Sequence, residues 1–241
     1  RELRNAFRYD EAIALYDRAV ELAPDDWRAW RFRGHRKLST RRFAEGVADL
    51  EQARELAAFD FDVAYHLGLA YYLSGRFDDA VAEYRRCLDL ADDNDARARE
   101  ARAREAAGEF AGHRTCMSIA GSDDTRVALE EWLYRALRQA GRHDEARALA
   151  DAVPAEMEVT ANGAYHLALL AHSGRADAAP LLLPLPPEGR FETRAYGVAV
   201  DEWFDGDRDR ALLLLRRIAA DPHWPGFGRL AAEADLARMG G

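Results

Sequence analysis

Lysine is almost missing from this chain: Lys37 is the single one, so arginine supplies nearly all of its 34 cationic side chains. With abundant alanine, this bias points to a GC-rich, bacterial-type codon usage and says nothing about function. Positive charge as a whole is also short, because 43 Asp and Glu residues leave a formal net charge of -9. Neutralising a phosphate backbone needs a basic footprint, so a general nucleic-acid binder is excluded. Cysteine is scarce: Cys87 and Cys116 are too few for a disulfide framework and form no Cys-x-x-Cys pair for zinc or redox work. Long hydrophobic runs are absent too. A membrane helix needs about 20 apolar residues, whereas Leu181 to Leu185 is short and broken by Pro180, Pro184 and Pro186. No signal peptide is visible, and a cytoplasmic protein is expected. The chain starts at Arg1 without a Met and in the middle of a helical pattern, which suggests a first unit that has lost its beginning.

What is present is a repeat. Tyr9-Asp-Glu-Ala12 returns as Phe43-Ala-Glu-Gly46 and as Phe77-Asp-Asp-Ala80, in steps of 34. The same step joins Tyr16, Leu50 and Tyr84, then Ala19, Ala53 and Cys87, then Leu22, Leu56 and Leu90, and it brings Gly34 onto Gly68. Small residues at Gly34 and Gly68, and at Ala12, Gly46 and Ala80, allow two antiparallel helices to approach closely. Aromatic residues at Tyr9, Phe43 and Phe77 fill the seam to the next pair.

This register resembles the tetratricopeptide repeat, a 34-residue helix-turn-helix unit with the pattern Trp-x2-Leu-Gly-x2-Tyr, then Ala-x3-Phe, then Pro. The third unit reads Ala64-x2-Leu67-Gly68-x2-Tyr71 followed by Ala80-x3-Tyr84. The second supplies Trp30 and Gly34, and the first supplies Ala12, Tyr16, Ala19 and Pro24. The resemblance implies an all-α, right-handed superhelix, or solenoid, of helical hairpins.

A Ser-Gly-Arg-Phe type of turn, with Gly ending the first helix, extends the trace: Gly75, Gly108, Gly141, Gly174 and Gly206 follow one another in steps of 33, 33, 33 and 32. About seven units result, the first truncated. Apolar residues at helical spacing support the later ones, as in Leu129, Trp132, Leu133, Ala136 and Leu137. After Trp224-Pro225-Gly226, residues Phe227 to Met239 read as a closing helix, which a repeat array needs to cover its last seam. Three stretches are therefore expected: regular units over 1–94, an irregular charged segment over 95–126, and degenerate units with the capping helix over 127–241. Arg97, Glu100 and Arg104 occupy packing positions in the middle stretch, and Pro180 to Pro187 should interrupt a returning helix.

Candidate chemistry is thin. His113 and Cys116 stand three apart, but Cys116 echoes Cys87, which occupies the small packing position of Ala19 and Ala53. Neither an orienting third group nor an oxyanion donor accompanies them, so no catalytic residue is assigned. His35 and His66 lack further ligands at fitting spacing, so no metal and no cofactor are expected. Acidic pairs such as Asp25-Asp26, Asp78-Asp79 and Asp92-Asp93 read as helix-start residues that satisfy free amides.

The feature that stands out is a face. Arg28, Arg31, His35 and Leu38 share one side of a helix by their spacing. In tetratricopeptide repeats the corresponding positions of the first helix line the concave groove. That resemblance assigns Arg28, Arg31, His35, Tyr65, His66, Leu69, Tyr72 and Arg135 to a peptide-binding groove, basic around Arg28 to His35 in an otherwise acidic protein. The Lys and Asn residues with which some members clamp a C-terminal carboxylate are replaced here by Arg31, His35 and His66, so that specificity is not implied. The function expected is a scaffold that binds a protein or peptide, an acidic one in particular, and neither nucleic acid nor membrane. A regulatory or assembly module of a larger polypeptide is the alternative, with an enzyme built on the 95–126 region as a further one.

Overall fold

A computed structural model describes residues 8–93, 122–183, 191–222 and 224–240. Among these residues there are helices and no strands. The helices are α1 (Tyr9–Leu22), α2 (Trp27–Ser39), α3 (Phe43–Leu56), α4 (Phe61–Leu73), α5 (Phe77–Asp93), α6 (Asp123–Gln139), α7 (His143–Ala152), α8 (Gly163–His172), α9 (Ala179–Leu182), α10 (Phe191–Asp205), α11 (Arg208–Ala219) and α12 (Phe227–Met239). None of them is long and apolar enough to cross a membrane.

The starts of the first helices in each hairpin are written locally. Asp26 accepts the Arg28 amide at 3.1 Å to open α2, and Asp60 accepts the Val63 amide at 2.9 Å to open α4. Ser122 does the same for α6 through the Thr125 amide at 3.2 Å. Each such cap satisfies an amide that the helix itself leaves free and is worth about 1 kcal/mol.

The turns between paired helices also follow the sequence. Gly75, Gly141 and Gly174 take φ of 75°, 73° and 73°, the left-handed conformation that glycine adopts without steric cost. In each, the next amide returns to a carbonyl five residues back, as in Arg76 N to Tyr71 O at 2.9 Å, which closes a Schellman motif. The equivalent turn of the α2/α3 pair carries Arg41 at φ 64° instead, with the same bond from Arg42 N to Lys37 O at 2.9 Å. Gly206 departs from the series. Its step is the shorter one, its φ is not positive, and Asp207 opens α11 by accepting the Asp209 and Arg210 amides.

Stacking is consecutive. α2 pairs with α3, α4 with α5, α6 with α7 and α10 with α11, while α1 packs on α2, α3 on α4 and α5 on α6. The predicted close approaches are real: a Cβ on Gly34 would stand 2.9 Å from Leu50 Cγ, and one on Gly68 2.7 Å from the Tyr84 ring. Of the irregular 95–126 stretch, residues up to 121 lie outside the described residues, as do Arg97, Glu100, Arg104, Gly108, His113 and Cys116. Residues 123–126 form the first turn of α6, which stacks directly on α5. The proline-rich break shortens the returning helix to α9, a single turn with Pro180 in it. Residues 184–190, with the remaining prolines of that stretch, are outside the described residues.

The closing helix has the bounds read from the sequence, but it does more than cover the last pair. α12 packs against α10 and α11 and also reaches α4, in the first half of the chain. The array folds back on itself.

Candidate functional site

The groove expected from the sequence falls on α2, α4 and α6, and most of its residues are buried among the helices. Arg28 sits at the rim, half-buried, with its guanidinium 2.7 Å from Asp26. Arg31 is only 2% exposed; it pairs with Asp62 and donates from Nη2 to the His66 ring at 3.1 Å. His66 is fully buried and donates from Nδ1 to its own-helix carbonyl of Asp62 at 2.8 Å, leaving Nε2 to accept from Arg31. Burial, reinforced by the Arg31 charge, pulls this imidazole down to about 4, so it is neutral at pH 7. His35, half-buried, lies against the His66 ring with centroids 4.6 Å apart. Tyr65, Leu69, Tyr72 and Arg135 are all buried.

Burial of this extent needs a cover, and the cover is the chain's own C-terminal part. Phe227 at the start of α12 stacks on His35 at 5.2 Å between centroids. Arg41 grips Glu233 with both prongs, at 2.9 and 3.0 Å, and lies over the Trp224 ring at 4.3 Å. Trp224 in turn stacks on Tyr9 of α1 at 5.6 Å. Arg238 donates to the Leu73 carbonyl at 3.2 Å, at the far end of α4. Between these ends, Tyr72 shares a 2.7 Å hydrogen bond with Tyr196 of α10, and Tyr196 donates to Asp235 of α12 at 2.6 Å. Gln139 completes the Asp235 site by donating at 3.2 Å to both oxygens. Backbones meet closely here as well: a Cβ on Gly228 would lie 2.1 Å from the Glu192 carbonyl oxygen, so only glycine lets α12 approach α10 in this way.

The groove is not a basic surface in this conformation. Each inner arginine meets an acid of its own chain, Arg31 at Asp62, Arg33 at Asp49 and Asp17, and Arg138 at Asp205. Arg135 and Glu131, one helical turn apart and both 0% exposed, form an ion pair at 2.6 Å. The expectation of a basic stripe counted the arginines without their partners: Glu131 lies one turn from Arg135, and those of Arg31, Arg33 and Arg138 lie 16 to 67 residues away, outside the repeat step. Arg41, which no repeat position marks, is the arginine on this side whose carboxylate comes from α12.

A second buried cluster was also missed. His172 at the end of α8 stands between Glu131, 2.9 Å from Nε2, and Asp201, bonded to Nδ1, and stacks flat on Tyr134 at 3.9 Å. Burial opposes the imidazolium, but the two carboxylates outweigh it and raise its pKa to about 9. Both ring nitrogens therefore donate, and His172 works as a charged link joining α6, α8 and α10. The only signal in the sequence is the Glu131/Arg135 spacing of one turn; nothing there points to position 172 or 201.

Of the remaining candidates, Cys87 is buried with its sulfur 3.6 Å from the Phe61 carbonyl, and burial pushes its thiol well above the ordinary range. That is the environment of a packing residue and not of a nucleophile. Asp26 behaves as the helix-start reading expects, and Asp78 and Asp79 lie in the first turn of α5, but Asp92 and Asp93 are the last residues of that helix and not the start of one. Among the described residues no three His, Cys, Asp or Glu side chains converge as a metal site would require.

Comparison with known proteins adds one positive finding. The tetratricopeptide repeat family matches residues 1–35 and 33–95. No curated protein matches the chain.

Proposed function

Residues 1–95 match the tetratricopeptide repeat family, and from that premise we propose that the chain is a non-catalytic scaffold that holds a partner protein on the concave face of α2, α4 and α6. Repeats of this family in general mediate protein–protein interaction, because stacked hairpins expose a long curved surface that suits a chain better than a small molecule. The residues assigned to contact the partner are Arg28 at the rim, His35 under Phe227, and Arg31, Tyr65, His66, Leu69, Tyr72 and Arg135 behind them. A partner reaches the second set only where α10 and α12 give way. The observation that carries the reading is the seat of α12: this face already accommodates a helix, through an aromatic stack at His35 and a two-pronged ion pair at Arg41. The partner's acidic character follows from Arg41 and not from the inner arginines, whose charge is spent on internal carboxylates. Neither nucleic acid nor membrane is proposed as a partner, since net charge of -9 opposes both anionic surfaces.

The test is site-specific photocrosslinking in cells of the source organism. A photoreactive residue at Arg28, on the rim, should capture a discrete protein, whereas one at Arg18, exposed on α1, should not. Capture from Arg18 with none from Arg28 would move the interface away from the concave face.

A further inference from the structure

We propose that α12 is a self-ligand of the concave face, and that the partner competes for its seat with an amphipathic helix of the same chemistry: an aromatic residue, a leucine three positions on, and an acid six positions on. This rests on the scaffold reading above and specifies what the scaffold takes.

The pattern is that of α12 itself. Phe227 meets His35, Leu230 is fully buried, and Glu233 meets Arg41. These residues lie on successive turns, so one side of a short helix carries all three. On the side of α1, α2 and α4 the other contacts are the Arg238 bond to the Leu73 carbonyl and the Trp224 stack on Tyr9, while α12 also packs on α10 and α11 and bonds Tyr196 and Gln139 through Asp235. The side that meets α2 and α4 is thus held by charge and rings, and part-exposed ion pairs hold less firmly than a packed apolar core.

Arg41 singles out the seat. The turns of three other hairpins place glycine where φ is positive, and this one places an arginine at φ 64°. L side chains disfavour that conformation. The local turn gains one bond from the arginine, to the Ser39 carbonyl, and its other contacts go to α12 and the segment before it: Glu233, the Trp224 ring and the Trp224 carbonyl at 3.2 Å. Arg41 is a latch residue placed in a hairpin turn. The chain before α12 is Trp224-Pro225-Gly226, a short connection after α11.

Occupancy in cis lowers affinity in trans by the fraction of molecules that are closed. Glu233→Gln removes the latch from α12 and leaves Arg41 in the seat for an occupant in trans, so it should open the seat without disturbing the hairpin. The experiment uses the full chain, wild type and Glu233→Gln, with a fluorescent peptide of residues 224–239 as the probe. In Glu233→Gln the melting curve should remain cooperative, amides of residues 227–239 should exchange about tenfold faster, and the peptide should bind about tenfold more tightly than to wild type. A peptide carrying Glu233→Arg should not show the gain, because Arg41 repels it. Trp224→Ala in the full chain asks the same question should Glu233→Gln fail to fold. Unchanged protection of α12 and unchanged peptide affinity in the folded variant would overturn the proposal. Capture from Arg28 with an α12 insensitive to the latch would leave the scaffold reading standing and sink the exchange. A freed α12 that binds the peptide, with no protein captured at Arg28, would do the reverse.

Discussion

At the scale of single residues, charge placement decides what each side chain does. Arginine is the natural cation to bury because its planar fork satisfies a carboxylate with two bonds, and here Arg31, Arg135 and Arg138 are buried beside acids. Leaving either Arg135 or Glu131 alone would strand a charge in the interior. His172 is the residue whose protonation matters to the fold. Its folded pKa of about 9 lies above the unfolded value of about 6.5, so its contribution is complete below pH 6.5 and is lost as pH rises through 9. The melting temperature should therefore fall between pH 7 and pH 9.5, and His172→Gln should flatten that fall while lowering stability at pH 7. Equal slopes for both proteins would remove His172 from the account. The sequence identified Arg31 and His66 as neighbours on an inner surface but gave their partners no weight. Asp62 lies 31 residues from Arg31 and Asp201 lies 29 from His172, distances that a 34-residue register does not mark.

At the scale of helices and turns, the sequence was most legible where a unit is shaped by its own contacts. Gly34 and Gly68 were read as close-approach positions and are so; Gly75, Gly141 and Gly174 were read as turn glycines and take left-handed φ. The two kinds should respond differently to alanine. At Gly68 a methyl group would meet the Tyr84 ring, one of the largest fully buried side chains, so Gly68→Ala should cost about 1–3 kcal/mol through overpacking. At Gly141 a Cβ meets nothing within 4 Å, and Gly141→Ala should cost about 1 kcal/mol through backbone strain alone. Urea denaturation separates them, and an equal or reversed order would contradict the packing described at the α4/α5 seam. The turn at Gly206 was misjudged because the step of 32 fitted the series while Asp207, a stronger local determinant, set the geometry. The break expected over Pro180 to Pro187 is seen at α9, which stops after one turn; Pro180 itself sits at the start of that helix, where no amide is needed.

At the scale of the whole molecule the sequence says little, because a period of 34 describes how neighbours stack and not where the far end of the array comes to rest. The bounds of α12 could be read from Trp224-Pro225-Gly226 and the apolar spacing that follows. Its docking on the first half of the chain, through Arg41 in the α2/α3 turn and Leu73 of α4, depends on pairs separated by as many as 192 residues. That closure is what turns a concave surface into an occupied seat, and the proposed partner chemistry follows from it. A nitroxide on α12 reports it most directly. With Ala237, which is exposed, replaced by a labelled cysteine in a Cys116→Ser background, the amide signals of residues 41 and 73–75 should be strongly broadened and those of α1 residue Arg18 should not. An open array, in which α12 only caps α10 and α11, would leave residues 41 and 73–75 sharp, and the folded-back seat of α12 would be refuted.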